Sequence, residues 1–353
     1  MTNIDVDTCR SLLSWMKDRV KKIVILTHAN PDGDALGSSL GLNRVLQNAG
    51  FSSHVIFPNG FPPIVPGLKD YVGWMIYERH EKEANQLVAE ADLLFMLDFN
   101  DMKRLGKLTK NMEHLTKKVV LIDHHPMPLI ETSFLFSDTT VSSTAELVYD
   151  FVIRMGWAEF IDKLGAEALL TGIIADTASF SHNSARPGMY KIVAGLIELG
   201  ANKDRINEVL FNTSSEERLR LLGYALSEKM EIFPEYHTAI ISLNREELKK
   251  YNFKNGDTEG FVNYPLSIQG IIFSAFFMEN EDKIKISFRS KGGFAVNQFS
   301  SDHFSGGGHF NAAGGESRLS LREAIQKLID LLPDYAETLA KEATGYINNL
   351  AER

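Results

Sequence analysis

Hydrophobic residues in the first part of the chain form short continuous runs that alternate with segments of helical periodicity. Lys22–Thr27 is a β-branched run, which is typical of a buried parallel strand. From Asp34 to Ala49 the apolar residues recur at helical spacing, and Gly50 is suited to the position after a helix. Segments of the same two kinds follow, with strands predicted at 51–57, 91–97 and 118–122 and a charged helix at 78–90. This alternation predicts an α/β domain with a doubly wound, mainly parallel sheet.

The pattern changes after Asp123, where helices precede a second group of strands. Residues 142–146 predict a helix start, with Ser or Thr as the cap and Glu146 beyond it. Helices are predicted at 159–175, 187–200, 203–231 and 321–332, and strands at 237–243, 270–279 and 283–289. We therefore expect a smaller C-terminal α+β domain, joined to the first domain by a helix. The expected bounds are 1–204 for the first domain, 205–235 for the connecting helix and 236–345 for the second domain.

Composition and charge narrow the class of protein. A chain of 353 residues exceeds one ordinary core, which favours two domains. No apolar run approaches the roughly 20 residues that cross a bilayer, so no membrane partner is expected. The single cysteine, Cys9, suits a reducing compartment, and we expect a cytoplasmic protein. The net charge of −9 argues against a broad basic face that would bind long nucleic acid.

Carboxylates and imidazoles stand where hydrophobic runs end. Four short segments share this trait: His28 with Asp32 and Asp34, then Asp98, then Asp123-His124-His125, and finally Asp176. Strand ends in an open α/β sheet are where ligands bind, and acidic groups gathered there repel one another unless a cation lies between them. Oxygen and nitrogen donors without thiolates suit Mn²⁺ or a similar divalent ion. A helix cap would explain one aspartate of the first segment, but not a histidine and two aspartates together.

The same segments carry a family resemblance. His-x-x-x-Asp-x-Asp, an aspartate at a strand end, Asp-His-His and a later aspartate resemble the four motifs of the DHH phosphoesterases. Further along, Arg289-Ser290 and the run from Gly306 to Gly315 resemble the substrate-binding domain called DHHA1. The resemblance covers nearly the whole chain in the family's domain order. Within the family, the chain is most similar to the two-domain nano-RNase type.

The resemblance implies two divalent cations, with Mn²⁺ expected and Mg²⁺ or Co²⁺ as alternatives. It implies two ligand sets that share Asp98: His28, Asp32 and Asp98 for one ion, and Asp34, Asp98, His124 and Asp176 for the other. Such a pair of ions, about 3.5–4 Å apart, activates water for in-line attack on phosphorus. The expected catalytic residues are Asp98, Asp123, His124 and His125. For Asp123 we prefer an outer position that fixes a histidine tautomer, with direct ligation as the alternative.

Substrate contacts are also expected from the resemblance. His125 would donate to a phosphate oxygen, Arg289 would form a bidentate clamp, and glycine amides would bind an anion. The full expected set is His125, Arg289, Ser290, Gly306, Gly307, Gly308 and His309. Two positions depart from the family pattern, because Ser305 and Ala178 stand where relatives commonly have glycine. Both departures bear on substrate preference more than on catalysis.

The expected function is hydrolysis of short oligoribonucleotides, of 3′-phosphoadenosine 5′-phosphate (pAp), or of both. Three alternatives stay open: a phosphodiesterase for linear dinucleotides from cyclic-dinucleotide signalling, an exopolyphosphatase, and a nucleotide sensor that binds without cutting. A lost ligand would mark a sensor, and none of the motif residues is lost. The sequence leaves open the preferred substrate, the cleavage polarity, the native metal and whether the chain forms a homodimer.

Overall fold

The computed structural model describes residues 4–17, 19–61, 64–112 and 117–351. The chain divides into two compact units, Met1–Thr213 and Ser214–Arg353. The helices of the first unit are α1 (Val6–Met16), α2 (Gly33–Asn48), α3 (Glu81–Glu90), α4 (Thr144–Arg154), α5 (Lys163–Asp176), α6 (Pro187–Glu198) and α7 (Lys203–Phe211). Its strands are β1 (Lys22–Thr27), β2 (Ser52–Phe57), β3 (Trp74–Ile76), β4 (Leu93–Leu97), β5 (Lys118–Asp123) and β6 (Phe134–Ser137).

The strands of the first unit form a parallel sheet in the order β3-β2-β1-β4-β5-β6. Both faces of this sheet are covered. Along β1, Ile23 and Ile25 pack into one hydrophobic cluster with α2, α4 and α5, and Val24 and Leu26 pack into another with α3. Burial on both faces explains why the strands read as continuous apolar runs. The predicted doubly wound α/β fold is confirmed.

Asp176 is the last residue of helix α5, which agrees with the helix predicted at 159–175 but not with the grouping of Asp176 among residues at strand ends. The apolar run before it belongs to a helix that is buried along most of its length, and periodicity alone cannot distinguish such a helix from a buried strand. The short strands β3 and β6 were not predicted. They lie at the two edges of the sheet, where three or four residues leave little pattern to read.

Helices α2 and α5 approach each other closely through glycine. A methyl group on Gly37 would lie 2.5 Å from both the Ala168 carbonyl oxygen and the Gly172 nitrogen. A methyl group on Gly172 would lie 2.6 Å from Ala145 Cβ and 2.8 Å from Asp34 Oδ1. These are contacts to backbone, to a buried alanine methyl group and to a buried carboxylate, so the neighbours cannot move aside. Because glycine has no side chain at these two positions, Asp34 of α2 lies close to α5.

The second unit is an α+β fold. Its helices are α8 (Glu216–Ser227), α9 (Arg245–Lys250), α10 (Val296–His303) and α11 (Leu321–Ala351), and its strands are β7 (Met230–Phe233), β8 (Thr238–Leu243), β9 (Phe273–Glu279), β10 (Ile284–Ser290), β11 (Gly307–His309) and β12 (Ala312–Ser317). The strands form a mixed sheet in the order β11-β12-β10-β9-β8-β7, in which only the β8–β9 pair is parallel. Residues of β9 alternate between two cores: Phe273 and Phe277 face α10 and α11, whereas Phe276 packs with α8.

The segment predicted as one helix over 203–231 contains two helices and the start of a strand. Helix α7 ends at Phe211 and α8 begins after Ser215, whose side chain accepts a hydrogen bond from the Arg218 nitrogen. The intervening run Asn212-Thr213-Ser214-Ser215 consists of residues that compete for backbone hydrogen bonds and therefore favour a helix boundary.

The closing helix is longer than predicted. It continues through Pro333 to Ala351, because Leu332, Leu339 and Ala343 keep packing into the same core. Proline at an exposed helix position is tolerated when tertiary contacts hold the flanking turns. Within the described part of the chain, none of the helices combines the length and the apolar composition that a bilayer span requires.

We expect Gly37→Ala to destabilise the first unit by about 1–3 kcal/mol, because the added methyl group meets the backbone of α5. The matched control is Gly165→Ala in α5, where the new Cβ meets nothing closer than 3.5 Å. Alanine there should be neutral or stabilise by up to about 1 kcal/mol. Tryptophan fluorescence during urea unfolding isolates this unit, since Trp15, Trp74 and Trp157 all belong to it. Equal urea midpoints for the two variants would contradict the packing argument.

Candidate metal centre

The ends of three adjacent strands bring the predicted residues together. His28 follows β1, Asp98 follows β4, and Asp123 ends β5, with His124 and His125 next in the chain. The strands β1 and β4 are neighbours in the sheet, and the chain winds outward from them in opposite directions. The carboxyl ends of strands at such a switch point form the crevice in which α/β proteins bind ligands.

His28, Asp32 and Asp98 form one group of donor atoms, all within 4.8 Å of one another. His28 Nε2 lies 3.8 Å from Asp32 Oδ2 and 3.5 Å from Asp98 Oδ2. His28 Nδ1 donates to the Ala29 carbonyl at 3.0 Å, and in the neutral ring this leaves a lone pair on Nε2. Separations of this size exceed ordinary hydrogen bonds and fit donors that share one ion at about 2.1 Å.

Asp32 serves the helix and the donor group at once. Its Oδ1 accepts from the backbone nitrogens of Asp34 and Ala35, at 3.1 and 3.0 Å, and caps α2. Its Oδ2 faces His28. The helix cap that could have explained this aspartate therefore occupies only one of its two oxygens.

Asp34, His124 and Asp176 form a second group. His124 Nε2 lies 3.4 Å from Asp176 Oδ2 and 3.6 Å from Asp98 Oδ1. Asp98 thus turns Oδ2 toward the first group and Oδ1 toward the second. Its backbone is left-handed, with φ of 67°, which is uncommon for a residue other than glycine and is found where function requires a strained conformation.

Burial has the largest influence on the pKa values of this centre, and neighbouring charges come second. Burial and the charges of Asp98 and Asp176 hold the pKa of Asp34 well above its usual range, and burial with the charges of Asp32 and Asp98 does the same for Asp176. Burial raises the pKa of Asp98, but the neighbouring histidines outweigh it and the net shift is downward. Burial lowers the pKa of His124, which favours the neutral ring that ligates metals.

The donor set suits a hard or borderline divalent cation. Within the described residues, His28 Nε2 and Asp123 Oδ2 are buried without a hydrogen-bond partner, and such atoms are normally satisfied. A cation would satisfy the histidine nitrogen and neutralise the crowded carboxylates. Oxygen and imidazole donors without sulfur fit Mn²⁺, Mg²⁺ or Co²⁺. Cys9 lies buried in α1, and burial raises the pKa of its thiol to about 11.

His125 connects Asp123 to an arginine that the sequence analysis missed. His125 Nδ1 donates to Asp123 Oδ1 at 2.7 Å, and Arg104 Nη1 donates to His125 Nε2 at 2.9 Å. Because a guanidinium can only donate, these partners assign the proton of the neutral ring to Nδ1. Asp123 therefore holds a histidine tautomer, while its Oδ2 leaves direct ligation open. The half-buried Arg104 brings a permanent positive charge close to the donor groups, six positions after Asp98.

The predicted substrate residues of the second unit lie on neighbouring strands. Arg289 of β10 is paired with Ala312 of β12, which is paired with His309 of β11. Residues paired in this way share one face of the sheet. Burial lowers the pKa of Arg289, although the group stays charged at neutral pH. Ser290 is buried, donates to the Phe294 carbonyl and accepts from Asn311 Nδ2, so its hydroxyl supports the hairpin.

The glycine run is a hairpin rather than an irregular loop, since Gly307 and Gly308 lie in β11. A side chain on Gly306 would collide with the Gly314 carbonyl, and Gly308 has φ of 146°. Packing and backbone conformation thus account for these two glycines. Ser305 and Ala178, the two expected departures from the family pattern, adopt φ of 49° and 44°. Both lie in the left-handed region that glycine occupies without strain, which agrees with the expectation of glycine there.

Comparison with known proteins identifies the family. The family model described as the DHH family, N-terminal domain, matches residues 22–173, and the model of the DHHA1 domain matches residues 236–338. The chain belongs to the DHH family of phosphoesterases and carries a DHHA1 domain. The resemblance expected from the motifs is confirmed.

Several relatives match most of the chain. The bifunctional oligoribonuclease and PAP phosphatase NrnA of Bacillus subtilis is 28% identical, over 91% of this chain and 95% of the relative. The cyclic-di-AMP phosphodiesterase PdeA of Listeria monocytogenes is 26% identical, over 90% of this chain and 48% of the relative. The crystal structure of an exopolyphosphatase-related protein from Bacteroides fragilis has a TM-score of 0.91 at 40% identity, covering 96% of this chain and 99% of that chain.

Asp176→Asn should stabilise the metal-free protein and weaken its stabilisation by Mn²⁺. The raised pKa of Asp176 means that its charged form opposes folding at neutral pH, so removing the charge should raise the unfolding temperature in EDTA. The same change removes a proposed ligand, so added Mn²⁺ should raise that temperature less than in the wild type.

The control for this measurement is Asp204→Asn, whose carboxylate is 92% exposed. Tryptophan fluorescence with EDTA and with Mn²⁺ gives both unfolding temperatures for each protein. Loss of metal-free stability in Asp176→Asn, together with an intact response to Mn²⁺, would refute the assignment of Asp176 as a ligand.

Proposed function

We propose that the protein is a divalent-metal-dependent phosphoesterase that hydrolyses short oligoribonucleotides and pAp. The single observation that carries the proposal is the convergence of two donor groups on Asp98, whose two oxygens face different histidines. A carboxylate that faces both groups could hold two cations close together, and such a pair assists in-line displacement at phosphorus. We assign His28, Asp32 and Asp98 to one ion, and Asp34, Asp98, His124 and Asp176 to the other.

The chain's own residues have separate tasks in this proposal. When bound, the cations supply Lewis acidity to the phosphate and lower the pKa of the attacking water. The carboxylates and histidines of the two donor groups would hold the cations. His125, expected to donate to a phosphate oxygen, donates to Asp123 through Nδ1 and accepts from Arg104 at Nε2. In this proposal the Arg104 guanidinium takes that role and offers its remaining N–H groups to a phosphate oxygen, where charge develops during the reaction.

Substrate recognition is proposed to involve the second unit as well. Arg289 and His309 share one face of its sheet, and a guanidinium there suits a phosphate group. The net charge of −9 favours a small substrate bound by a few local cations over a long strand bound through a broad basic surface.

Similarity favours this substrate class. The Bacillus subtilis relative is named an oligoribonuclease and PAP phosphatase, and it aligns with nearly the whole of both chains. A second candidate, hydrolysis of linear dinucleotides from cyclic-dinucleotide signalling, is favoured by the similarity to the Listeria phosphodiesterase. Polyphosphate is a third substrate to test, because the Bacteroides fragilis protein is described as exopolyphosphatase-related.

A substrate panel distinguishes these candidates. Mn²⁺-loaded protein is incubated with a ribodinucleotide, a ribonucleotide 5-mer, pAp, pyrophosphate and polyphosphate, and the products are separated by chromatography. We expect turnover of the oligoribonucleotides and of pAp. Exclusive turnover of the dinucleotide would favour the second candidate. Tight binding in calorimetry with every substrate left intact would indicate a sensor and reject the proposal.

Asp98→Ala should abolish turnover, because it removes a ligand from both proposed ions. Mutation of a residue that only hydrogen-bonds a metal ligand lowers activity by up to roughly 100-fold. Asp98 is itself a proposed ligand, so we expect a larger fall in the rate. The control is Asp204→Ala, which removes an exposed carboxylate outside the centre and should keep the wild-type rate. Initial rates with Mn²⁺ and pAp provide the measurement. An Asp98→Ala protein with near wild-type rates would rule the proposed mechanism out.

A further inference from the structure

The first turn of α4 donates three hydrogen bonds to two buried carboxylates of the centre. The backbone nitrogens of Thr144 and Ala145 donate to Asp34 Oδ2 and Oδ1, at 2.6 and 2.9 Å. The Thr144 hydroxyl donates to Asp98 Oδ1 at 3.0 Å. Thr144 is fully buried. It contacts Asp98 of one donor group and Asp34 of the other, and it belongs to neither group.

We propose that Thr144 is a positioning residue, which orients Asp98 so that both of its oxygens face a divalent cation. The inference rests on the proposed function only in requiring that cations bind the two donor groups. Outer hydrogen bonds to ligating carboxylates commonly tune metal affinity by fixing ligand orientation. Nothing in the sequence motifs pointed to this threonine.

The geometry of Asp98 explains why its orientation matters. Oδ2 lies 3.5 Å from His28 Nε2, and Oδ1 lies 3.6 Å from His124 Nε2. A rotation of the carboxylate plane would move both oxygens away from their respective groups at once. The Thr144 hydroxyl contacts Oδ1 and resists this rotation.

The start of α4, which carries Thr144, is held by hydrogen bonds among its own residues and by a distant arginine. The Ser143 hydroxyl accepts from the Glu146 nitrogen and caps α4. The Glu146 carboxylate is 1% exposed and accepts from the backbone and side chain of Ser142, at 3.0 and 2.8 Å. Arg186 Nη2 donates to both Glu146 oxygens, at 2.6 and 2.5 Å. A buried carboxylate with an arginine partner therefore fixes the start of the helix that contacts the centre.

The α4 backbone and the Thr144 hydroxyl can be separated by mutation. Thr144→Val keeps the shape, the β-branch and the N–H to Asp34, but removes the hydroxyl that contacts Asp98. Thr144→Ser keeps the hydroxyl and loses only a methyl group. The control is Thr171→Val in α5, since the Thr171 hydroxyl is equally buried but donates to the Glu167 carbonyl of its own helix, at 2.7 Å. Thr144→Ala removes the hydroxyl with a smaller side chain, and it is used if the valine variant does not fold.

The experiment is calorimetric titration of the metal-free full-length protein with Mn²⁺, alongside its metal-free urea midpoint. We expect Thr144→Val to raise the Mn²⁺ dissociation constant about 10- to 100-fold. Thr144→Ser should remain close to the wild type, and Thr171→Val should keep the wild-type affinity even if its urea midpoint falls. This contrast separates positioning from a general loss of stability.

Three results would overturn the inference. They are wild-type Mn²⁺ affinity in the variants that lack the hydroxyl, equal weakening by Thr171→Val, and failure of Thr144→Ser to restore binding. Wild-type protein that binds no Mn²⁺ would reject both this inference and the proposed function. Mn²⁺ binding without turnover of any substrate in the panel would reject the proposed function alone, and the variant affinities would still decide the role of Thr144.

Discussion

Repulsion among four carboxylates at one end of the first sheet is the constraint on which the rest of the structure depends. Asp32, Asp34, Asp98 and Asp176 converge there, and burial of like charges raises the pKa of Asp34 and Asp176. A fold gains nothing in stability from such a gathering unless positive charge or hydrogen-bond donors compensate it. Part of the compensation comes from the backbone N–H groups at the start of α4, and in our proposal the rest would come from two divalent cations.

The scaffold that enforces this gathering is the close contact of α2 with α5. Glycine at positions 37 and 172 lets the two helices approach to backbone contact. Asp34 at the start of α2 and Asp176 at the end of α5 consequently meet in the donor group of His124. The contact between α2 and α5 therefore also sets the spacing of the donor atoms. Because protein interiors are close-packed, strain in this contact is transmitted to the donor groups.

Hydrogen bonds outside the two donor groups fix the orientation of the donor side chains. Asp32 caps a helix with one oxygen and faces His28 with the other, and Asp123 holds the tautomer of His125. Thr144 contacts Asp98 in the same manner. Each ligand or its neighbour is thus fixed by a second interaction, as preorganised sites require. In the second unit, the hairpin of β11 and β12 plays the comparable part by holding His309 in register with Arg289.

The sequence by itself determined the class of fold, most strand and helix positions, the family and the residues of the donor groups. These features are local, since buried β-branched runs, helix caps and short motifs are legible within about 10–20 residues. Tertiary structure alone decided that Arg104 contacts His125 and that Thr144 reaches Asp34 across 110 positions. Such contacts depend on the order of the strands in the sheet and on helices that approach closely at glycine. Neither feature produces a periodic pattern in the sequence.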